Sequence, residues 1–455
     1  MTITVLILYI LALFVIALKS YRNVADYNDF FVARRKGAFF TISGSLLATI
    51  LGGSAIIGTV DIGPKMGWAT AWFMICASAG LFALLPLVKK VKSLGRFTLP
   101  ELLEDLYGKQ VKQISAVIIP VAWLGIVAAQ IIAGGEIVQS FTGLSYETGA
   151  IASGLVFILY TVVGGQFSVL KTDLFQAVLI LIGLIMISFF AYQSACSPAG
   201  CLQAKASHPL SFPFNAHFKP FDLFILVLTY STTFTAGPDI FSRIFSAKNE
   251  IIARRAVMTT AFLLLPIALS IAFLSAYGAA CIPSPHKGSI LMEICKTILP
   301  YWAVPLIVIM LLSVVLSSAD TTLLSASIIL TDMIEKGNFG DKSVKRTRII
   351  LFIFGLASIL IALNFTSIIG ILLIALTVYS GAFFLPIIVG LTGHQVKRSY
   401  LSAAIIAGGA IALTGKMIFL HVSNNWGNIV ITVAFLLNGL LILWGIKKQR
   451  ATLSR

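Results

Sequence analysis

The sequence predicts an all-α integral membrane protein with about thirteen transmembrane helices. Hydrophobic residues make up 58% of the 455 residues and charged residues only 11%, whereas a soluble domain contains about 25% charged residues. The apolar residues are also collected into long segments separated by short polar loops. Segments of that length cross a bilayer as helices, because a helix satisfies its own backbone hydrogen bonds.

Thirteen segments meet this description. In order they are residues 2–18, 38–60, 67–88, 115–138, 148–163, 172–192, 221–241, 257–280, 302–334, 349–363, 367–391, 401–420 and 429–446. The first is not a signal peptide, because its basic residues follow the apolar run and no small-residue cleavage site is present. The longest polar stretches are residues 196–220 and 335–348. The chain is therefore predicted to form a single membrane domain over residues 1–455.

The distribution of basic residues predicts the orientation. With the amino terminus outside, 27 of the 33 lysines and arginines fall in cytoplasmic segments and 6 fall outside. Cytoplasmic loops are enriched in these residues, so we expect an external amino terminus and a cytoplasmic carboxyl terminus in the plasma (inner) membrane. The formal charge of +16 is spread over loops rather than one face. This pattern predicts lipid as a partner and does not indicate nucleic acid.

Two of the predicted spans are interrupted near their middle. Residues 48–54 read Ala-Thr-Ile-Leu-Gly-Gly-Ser, and residues 235–239 read Thr-Ala-Gly-Pro-Asp. Glycine pairs and proline release backbone carbonyl and amide groups, which a membrane tolerates only where they line a cavity or bind something. Broken helices at mid-membrane are where carriers bind ions and solutes, so the sequence predicts a transporter.

Enzymatic activity is not predicted. The chain has five histidines, no paired cysteine and histidine spacing and no nucleophile motif. Four of its five cysteines map to outer loops or their edges, namely Cys196, Cys201, Cys281 and Cys295. Pairing of Cys196 with Cys201, pairing across the two loops, and unpaired thiols are all compatible with the sequence. Cys76 is expected in the core.

Short motifs follow one another in a fixed order. They are Asp29–Arg34, Thr98–Leu102, Ala128–Gln130, Ala133–Gly135, Tyr160–Gly165, Lys171–Gln176, Arg243 with Ala247–Lys248, and Leu316–Thr321 through Thr331–Asp332. From about Tyr27 to Leu391, this series resembles the sodium/solute symporter family of sodium/proline, sodium/pantothenate and sodium/glucose carriers. The resemblance implies sodium-coupled symport of a small organic solute into the cell by alternating access.

The resemblance also implies the architecture. Two inverted repeats of five helices, of the leucine-transporter type, would occupy residues 38–192 and 221–391. One extra helix at residues 2–18 would precede them, and two helices within residues 401–446 would follow. The two interruptions then fall in the first helix of each repeat, which is where inverted-repeat carriers place their binding sites.

A sodium site follows from the same resemblance. Its oxygens would be the carbonyls of Ala48, Leu51 and Val314 and the hydroxyls of Ser317 and Ser318. Sodium is a hard cation that oxygen atoms bind, and released carbonyls provide them without burying a full negative charge. In the alternative interpretation, the two hydroxyls bond to a carbonyl one turn earlier or join neighbouring helices.

Carboxylates within a membrane are costly and are expected to be functional or paired. The candidates are Asp61, Glu136, Asp173, Asp239 and Asp320. Asp173 is a candidate for a second cation or proton site, by resemblance, or for a helix cap. Asp320 would tune the sodium site or pair with a cytoplasmic arginine, and Asp239 would pair with Arg243 on its own helix. Asp61 and Glu136 are expected near the outer surface, as solvated or gating groups.

The solute is expected between the two interruptions. The candidate residues are Gly52, Gly53, Ser54, Trp72, Gly237, Pro238, Asp239, Thr377 and Tyr379. Ser54, Ala55 and Ala71 replace the polar groups with which the sugar carriers bind hydroxyls, which favours a small amino acid such as proline, or a small carboxylate. Ile50 stands where the proline carriers have an acid. The alternatives are a proton-coupled symporter, in which Asp173 or Asp320 titrates, and a membrane receptor.

Overall fold

The computed structural model describes residues 2–21, 26–196, 211–282, 288–340, 342–365 and 367–453. Within these residues the regular structure is helical, and the two β-bridges, Gly37 with Ala247 and Asn215 with Phe218, are isolated. The α-helices are Thr2–Tyr21 (α1), Tyr27–Val32 (α2), Phe39–Ile50 (α3), Thr59–Asp61 (α4), Gly63–Met66 (α5), Ala71–Leu84 (α6), Val88–Leu94 (α7), Leu99–Tyr107 (α8), Lys109–Thr142 (α9), Tyr146–Cys196 (α10), Pro220–Leu226 (α11), Thr232–Ala236 (α12), Pro238–Ser246 (α13), Glu250–Cys281 (α14), Ile290–Ile298 (α15), Val304–Glu335 (α16), Ser343–Asn364 (α17), Ile368–Leu391 (α18), Arg398–His421 (α19) and Asn424–Leu453 (α20). Short 3₁₀ helices lie at Ala33–Arg35 and Gly67–Thr70, and π-helices lie at Ser54–Gly58 and Val227–Ser231.

Among the described residues, eleven helices are long and apolar enough to cross a membrane, or twelve if the bent pair Phe39–Ile50 and Ser54–Asp61 forms one span. The helix α10 has 51 residues. A straight helix of that length would measure about 75 Å, more than twice the thickness of the hydrocarbon core. The chain turns within α10 at Gly165, whose φ of 58° and ψ of −165° are not helical. This helix therefore contains the predicted fifth and sixth spans, while the total of thirteen remains a prediction.

Two features of this turn require glycine at position 165. Its positive φ is one that other residues rarely adopt. A Cβ at Gly165 would also lie 2.5 Å from the ring of Phe30. The close contact between α10 and α2 at this turn thus requires glycine.

One buried apolar cluster extends through the structure from Tyr9 in α1 to Ile442 in α20. The helix α16 packs against α9 and α10, and nearly all of its residues are buried. Large apolar side chains such as Ile185 and Leu360 are exposed on the outside, as expected for surfaces that face lipid. Polar residues on α16 are therefore shielded from lipid by the surrounding helices.

The structure confirms both predicted interruptions. The helix α3 ends at Ile50, Leu51 has non-helical angles (φ −83°, ψ 54°), and the axis bends by 50° before Ser54. The second interruption is at Gly237, whose extended backbone (φ −70°, ψ 139°) separates α12 from α13. Each predicted break is thus a real gap in the pattern of helical hydrogen bonds.

The cysteines exclude one of the pairing alternatives that the sequence left open. Cys76, Cys196 and Cys295 are free thiols, so Cys196 does not pair with Cys201. Cys281 is in a disulfide. Cys201 lies outside the described residues.

A charged network joins α8, α9 and α16 on the side predicted to be cytoplasmic. Lys112 contacts Glu104 at 2.8 Å and the fully buried Asp332 at 3.0 Å. Burial raises the pKa of the nearby Glu101 carboxyl, and the charge of Asp332 raises it further. The Glu101 carboxylate accepts the amide of Phe97 at 2.8 Å and caps the start of α8. Lys112 is thus the cation that stabilises a buried group of acids.

We expect Lys112→Met to lower the thermal stability of the purified protein strongly. The change leaves Asp332 buried without its cation, and breaking such a pair costs about 3–5 kcal/mol. Lys89→Met is the matched control, because the Lys89–Glu250 pair spans 3.7 Å and is solvent-exposed. An exposed pair is worth about 0–1 kcal/mol. Equal losses of melting temperature in the two variants would contradict the prediction.

Candidate functional site

The predicted sodium ligands meet where α16 passes the end of α3. The hydroxyl of Ser317 donates to the carbonyl of Ala48 at 3.0 Å and to that of Val314 at 3.2 Å. The hydroxyl of Ser318 donates to the carbonyl of Thr49 at 2.9 Å, with Ala48 at 3.4 Å. Four of the five predicted oxygens are therefore in mutual contact. The fifth residue, Leu51, lies three residues after Ala48 at the same helix end.

The spacing of these oxygens suits a hard cation. Two oxygens that bind one cation at about 2.4 Å and at a right angle to each other lie about 3.4 Å apart. The oxygen contacts of 3.0–3.4 Å around Ser317 and Ser318 are close to that value. The same contacts also agree with the alternative interpretation, in which the two hydroxyls join helices. The Ser317 hydroxyl bonds back along α16, and both hydroxyls bond across to α3. A hydroxyl can exchange a carbonyl for a cation by rotating its hydrogen.

Two glycines allow α3 and α16 to approach this closely. A Cβ at Gly52 would lie 2.5 Å from the hydroxyl oxygen of Ser318, and a Cβ at Gly53 would lie 2.8 Å from Val315. The amide of Gly53 donates to the side chain of the buried Gln130 at 2.7 Å. Gln130 therefore satisfies a backbone group released by the first interruption. In the sequence, Gln130 belongs to the motif Ala128–Gln130, and this position alone indicates no role for it.

A cavity of about 70 Å³ lies between the two interruptions and adjoins the predicted sodium ligands. Four of the predicted solute residues line it: Gly52, Ser54, Gly237 and Asp239. Its remaining lining residues are Thr49, Ile50, Trp123, Ile126, Gln130, Tyr230, Thr233, Phe234, Ile240, Ser318, Thr322, Leu372 and Leu376. Thr49, Gly52 and Ser318 thus belong to the cavity and lie at the sodium ligands.

The other predicted solute residues are placed elsewhere. Gly53 and Pro238 are chain neighbours of lining residues. Trp72 stacks on Phe212 and donates to the carbonyl of Pro213 at 3.0 Å. Tyr379 donates to the carbonyl of Ala236 at 2.5 Å and so binds the second interruption from α18.

Thr377 is buried in α18, and its carbonyl accepts the hydroxyl of Ser380 at 3.3 Å. Trp72, Thr377 and Tyr379 do not line the cavity. The positions expected in the third and eleventh spans therefore support the site from outside it.

The aromatic residues of the cavity were missed from the sequence. Trp123, Tyr230 and Phe234 line it. Trp123 is fully buried in α9, with its ring 4.8 Å from that of Tyr379. Aromatic residues are common in membrane helices, so only their convergence in space distinguishes these three.

Asp239 does not form the predicted pair with Arg243. Its two carboxylate oxygens each lie 3.0 Å from the indole nitrogen of Trp123, which donates to them. Arg243 lies one turn further along α13 and contacts Asp173 at 3.1 Å instead. An i,i+4 spacing permits a pair but does not require one. Arg243 is also fully buried, rather than cytoplasmic as the charge count assumed.

Arg243 joins three helices below the sodium ligands. It donates to Ser45 at 2.9 Å and also to Thr321, and Ser45 itself donates to Asp173. Thr321 donates to the carbonyl of Ser317 at 2.8 Å, so this polar group reaches the sodium ligands. Asp173 is therefore neither exposed nor a helix cap, because it lies inside α10.

Asp320 is fully buried beside this group. One of its oxygens contacts the hydroxyl of Thr321 at 3.4 Å, and the other has no hydrogen-bond partner among the described residues. The described ion pairs do not include Asp320. The predicted pairing with a cytoplasmic arginine is therefore not seen.

A second cavity of about 570 Å³ lies toward the predicted outer side. Asp61 and Glu136 line it, as does Tyr146. Asp61 accepts the hydroxyl of Ser289 at 2.9 Å and the amide of Leu291 at 3.2 Å. Asp61 thus anchors the start of α15, a role that the sequence did not indicate.

Comparison with known proteins agrees with this architecture. The sodium:solute symporter family matches residues 30–408. The chain is 25% identical over 360 residues to the sodium/proline symporter of Haemophilus influenzae, which covers 72% of this chain and 70% of the relative. It is 22% identical over 432 residues to the sodium/proline symporter of Escherichia coli, covering 90% of this chain and 86% of the relative.

Among solved structures, a sodium-coupled sialic acid symporter in a substrate-bound outward-open state is similar, with a TM-score of 0.79. The similarity covers 96% of this chain and 98% of that chain at 16% identity, so it concerns the fold. It confirms the class of membrane fold that the motifs predicted. The chain belongs to the sodium:solute symporter family and is a sodium-coupled solute carrier.

Proposed function

We propose that this carrier moves a small amino acid such as proline, or a small carboxylate, into the cell together with sodium. The sodium would bind the oxygens of Ala48, Leu51, Val314, Ser317 and Ser318, and the solute would bind in the adjacent cavity. The observation that carries this proposal is the contact of the Ser317 and Ser318 hydroxyls with carbonyls at the broken end of α3. The names of the sodium/proline relatives support the choice of solute.

The proposed sodium site and the solute cavity are coupled because they share residues. Sodium would join α3 to α16 through Ala48 and Ser317 and hold Thr49 and Ser318 in place at the cavity wall. A ligand that binds one conformation more tightly shifts the equilibrium toward it. Sodium bound from outside would therefore favour the form that accepts solute. Each charge that enters supplies about 2.3 kcal/mol per 100 mV of membrane potential.

The remaining assignments are part of the proposal. The protein would lie in the plasma (inner) membrane, surrounded by lipid, with its amino terminus outside and its carboxyl terminus in the cytoplasm. Asp173 and Asp320 would form a second cation or proton site. The two five-helix repeats would occupy residues 38–192 and 221–391. We propose no enzymatic activity and no nucleic-acid partner.

The double variant Ser317→Ala, Ser318→Ala should raise the sodium concentration needed for half-maximal uptake by at least about tenfold. Loss of 1.4 kcal/mol of binding free energy corresponds to a factor of ten, and two ligands are removed. Uptake in proteoliposomes at graded sodium concentrations measures the effect. Ser327→Ala is the control, because Ser327 is buried in the same helix and bonds only within it, to Leu323. Unchanged sodium dependence in the double variant would exclude this sodium site.

The variant Gly52→Ala should also weaken sodium binding. Its methyl group would lie 2.5 Å from the hydroxyl oxygen of Ser318 and would displace that side chain. A Cβ at Gly340 meets nothing within 4 Å, so Gly340→Ala is the control. Sodium-dependent thermal stabilisation of the purified variants measures the change. Equal sodium affinities in the two variants would show that the close approach at Gly52 is not needed.

Proton coupling is the second candidate function, favoured by the unpartnered oxygen of Asp320. If both are ionised, Asp173 and Asp320 carry two negative charges, and Arg243 supplies one positive charge among them. An unpaired charge is costly inside a membrane, so a cation or a proton is required for neutrality. Sodium and a proton satisfy this requirement equally well.

We expect Asp320→Asn to reduce the charge moved per solute molecule by one, while the first sodium site remains. Parallel measurement of current and solute flux in proteoliposomes gives this ratio. Asp105→Asn, which alters an exposed pair with Arg96, is the control. Uptake by wild-type protein in a pH gradient without sodium would identify the proton as the coupling ion. A ratio unchanged in Asp320→Asn would remove Asp320 from the coupling site.

A further inference from the structure

The central cavity has one carboxylate and no basic side chain. Asp239 is its single charged lining residue, and its side chain is partly accessible from the cavity. No lysine, arginine or histidine belongs to the lining among the described residues. The cavity wall therefore carries a net negative charge when Asp239 is ionised.

The partners of Asp239 are neutral. The indole nitrogen of Trp123 donates to both of its oxygens at 3.0 Å. The ion pairs of the described residues do not include Asp239, and the nearby Arg243 contacts Asp173 at 3.1 Å. A carboxylate at membrane depth that lacks a cation is expected to gain one when its site is filled.

The walls around Asp239 suit an organic cation. Trp123, Tyr230 and Phe234 line the same cavity, together with aliphatic residues such as Ile126 and Leu376. Aromatic faces attract alkylated ammonium groups, and the apolar walls would pack against their carbon atoms. A simple carboxylate would meet a negative charge without a basic residue to bind it.

We propose that the transported solute carries an ammonium group that pairs with Asp239 and packs among these aromatic rings. This inference rests on the proposed function and narrows its two solute classes to the one that contains an amine. The other end of the solute would extend toward Thr49 and Ser318, where the sodium ligands lie. A zwitterion would then place its carboxylate near sodium and its ammonium at Asp239.

Pairs of compounds that differ only in the ammonium group test this inference. Cyclopentanecarboxylate has a CH2 group in place of the ring nitrogen of proline, and 3,3-dimethylbutan-1-ol has a carbon atom in place of the nitrogen of choline. Thermal stabilisation of the wild-type protein by each compound would be measured in sodium and in potassium buffer, since a ligand that binds the folded state raises its stability. We expect stabilisation in sodium by at least one ammonium compound and by neither carbon analogue.

The variant Asp239→Asn separates charge from structure. Asparagine keeps an acceptor oxygen for Trp123 but loses the negative charge. We expect the affinity for the ammonium compound to fall at least about tenfold, because a charge-assisted bond becomes a neutral one. Asp222→Asn is the control, because Asp222 bonds to Lys219 and Asn428 outside the cavity. Stabilisation by sodium alone should stay unchanged in both variants.

The outcomes separate this inference from the proposed function. Three results would overturn the ammonium assignment. The first is stabilisation of the wild-type protein by cyclopentanecarboxylate or dimethylbutanol, and the second is stabilisation by none of the four compounds. The third is stabilisation by an ammonium compound that Asp239→Asn does not diminish. Loss of sodium dependence for every compound would instead contradict the sodium site. The comparison within wild-type protein does not require that any variant folds.

Discussion

The contact between the serine hydroxyls of α16 and the broken end of α3 is the interaction on which the rest of the site depends. A helix that stops inside a membrane leaves carbonyl and amide groups without partners, and hydrocarbon offers none. Ser317 and Ser318 satisfy the carbonyls of Ala48 and Thr49. The side chain of Gln130 satisfies the amide that follows, at Gly53. The interruption is stable because side chains of neighbouring helices replace the hydrogen bonds that α3 loses at its end.

The second interruption follows the same rule with a different partner. The carbonyl of Ala236 accepts the hydroxyl of Tyr379, and the hydroxyl of Thr235 donates to the carbonyl of Gly80. Because both interruptions depend on side chains from other helices, a movement of those helices changes the cavity between them. An ion that binds at the first interruption would thereby change the cavity in which the solute binds.

Buried charges divide the interior into two regions. Arg243 contacts and neutralises Asp173, whereas Asp239, one turn earlier on α13, lines the cavity and is in none of the described ion pairs. The one arginine therefore pairs with an acid near the predicted sodium ligands, and Asp239 is left as the charged residue of the described cavity lining. Asp320 adds a further negative charge close to Arg243. Under the proposal, a cationic group on the solute would neutralise Asp239, and a cation or proton would neutralise Asp320.

The sequence by itself determined the membrane class, the family, the two interruptions and four of the lining residues, because hydropathy, glycine pairs and proline act locally along the chain. It also indicated that Ser317 and Ser318 meet the end of α3, through motifs whose spacing along one helix is fixed. Only the tertiary structure decided which partner each buried charge takes. Arg243 could reach Asp239 by helix spacing alone, yet the packing of α10 against α3 brings Asp173 to it. The aromatic lining at Trp123 and Tyr230 was likewise decided by packing, since the convergence of distant helices leaves no periodic signal in the chain.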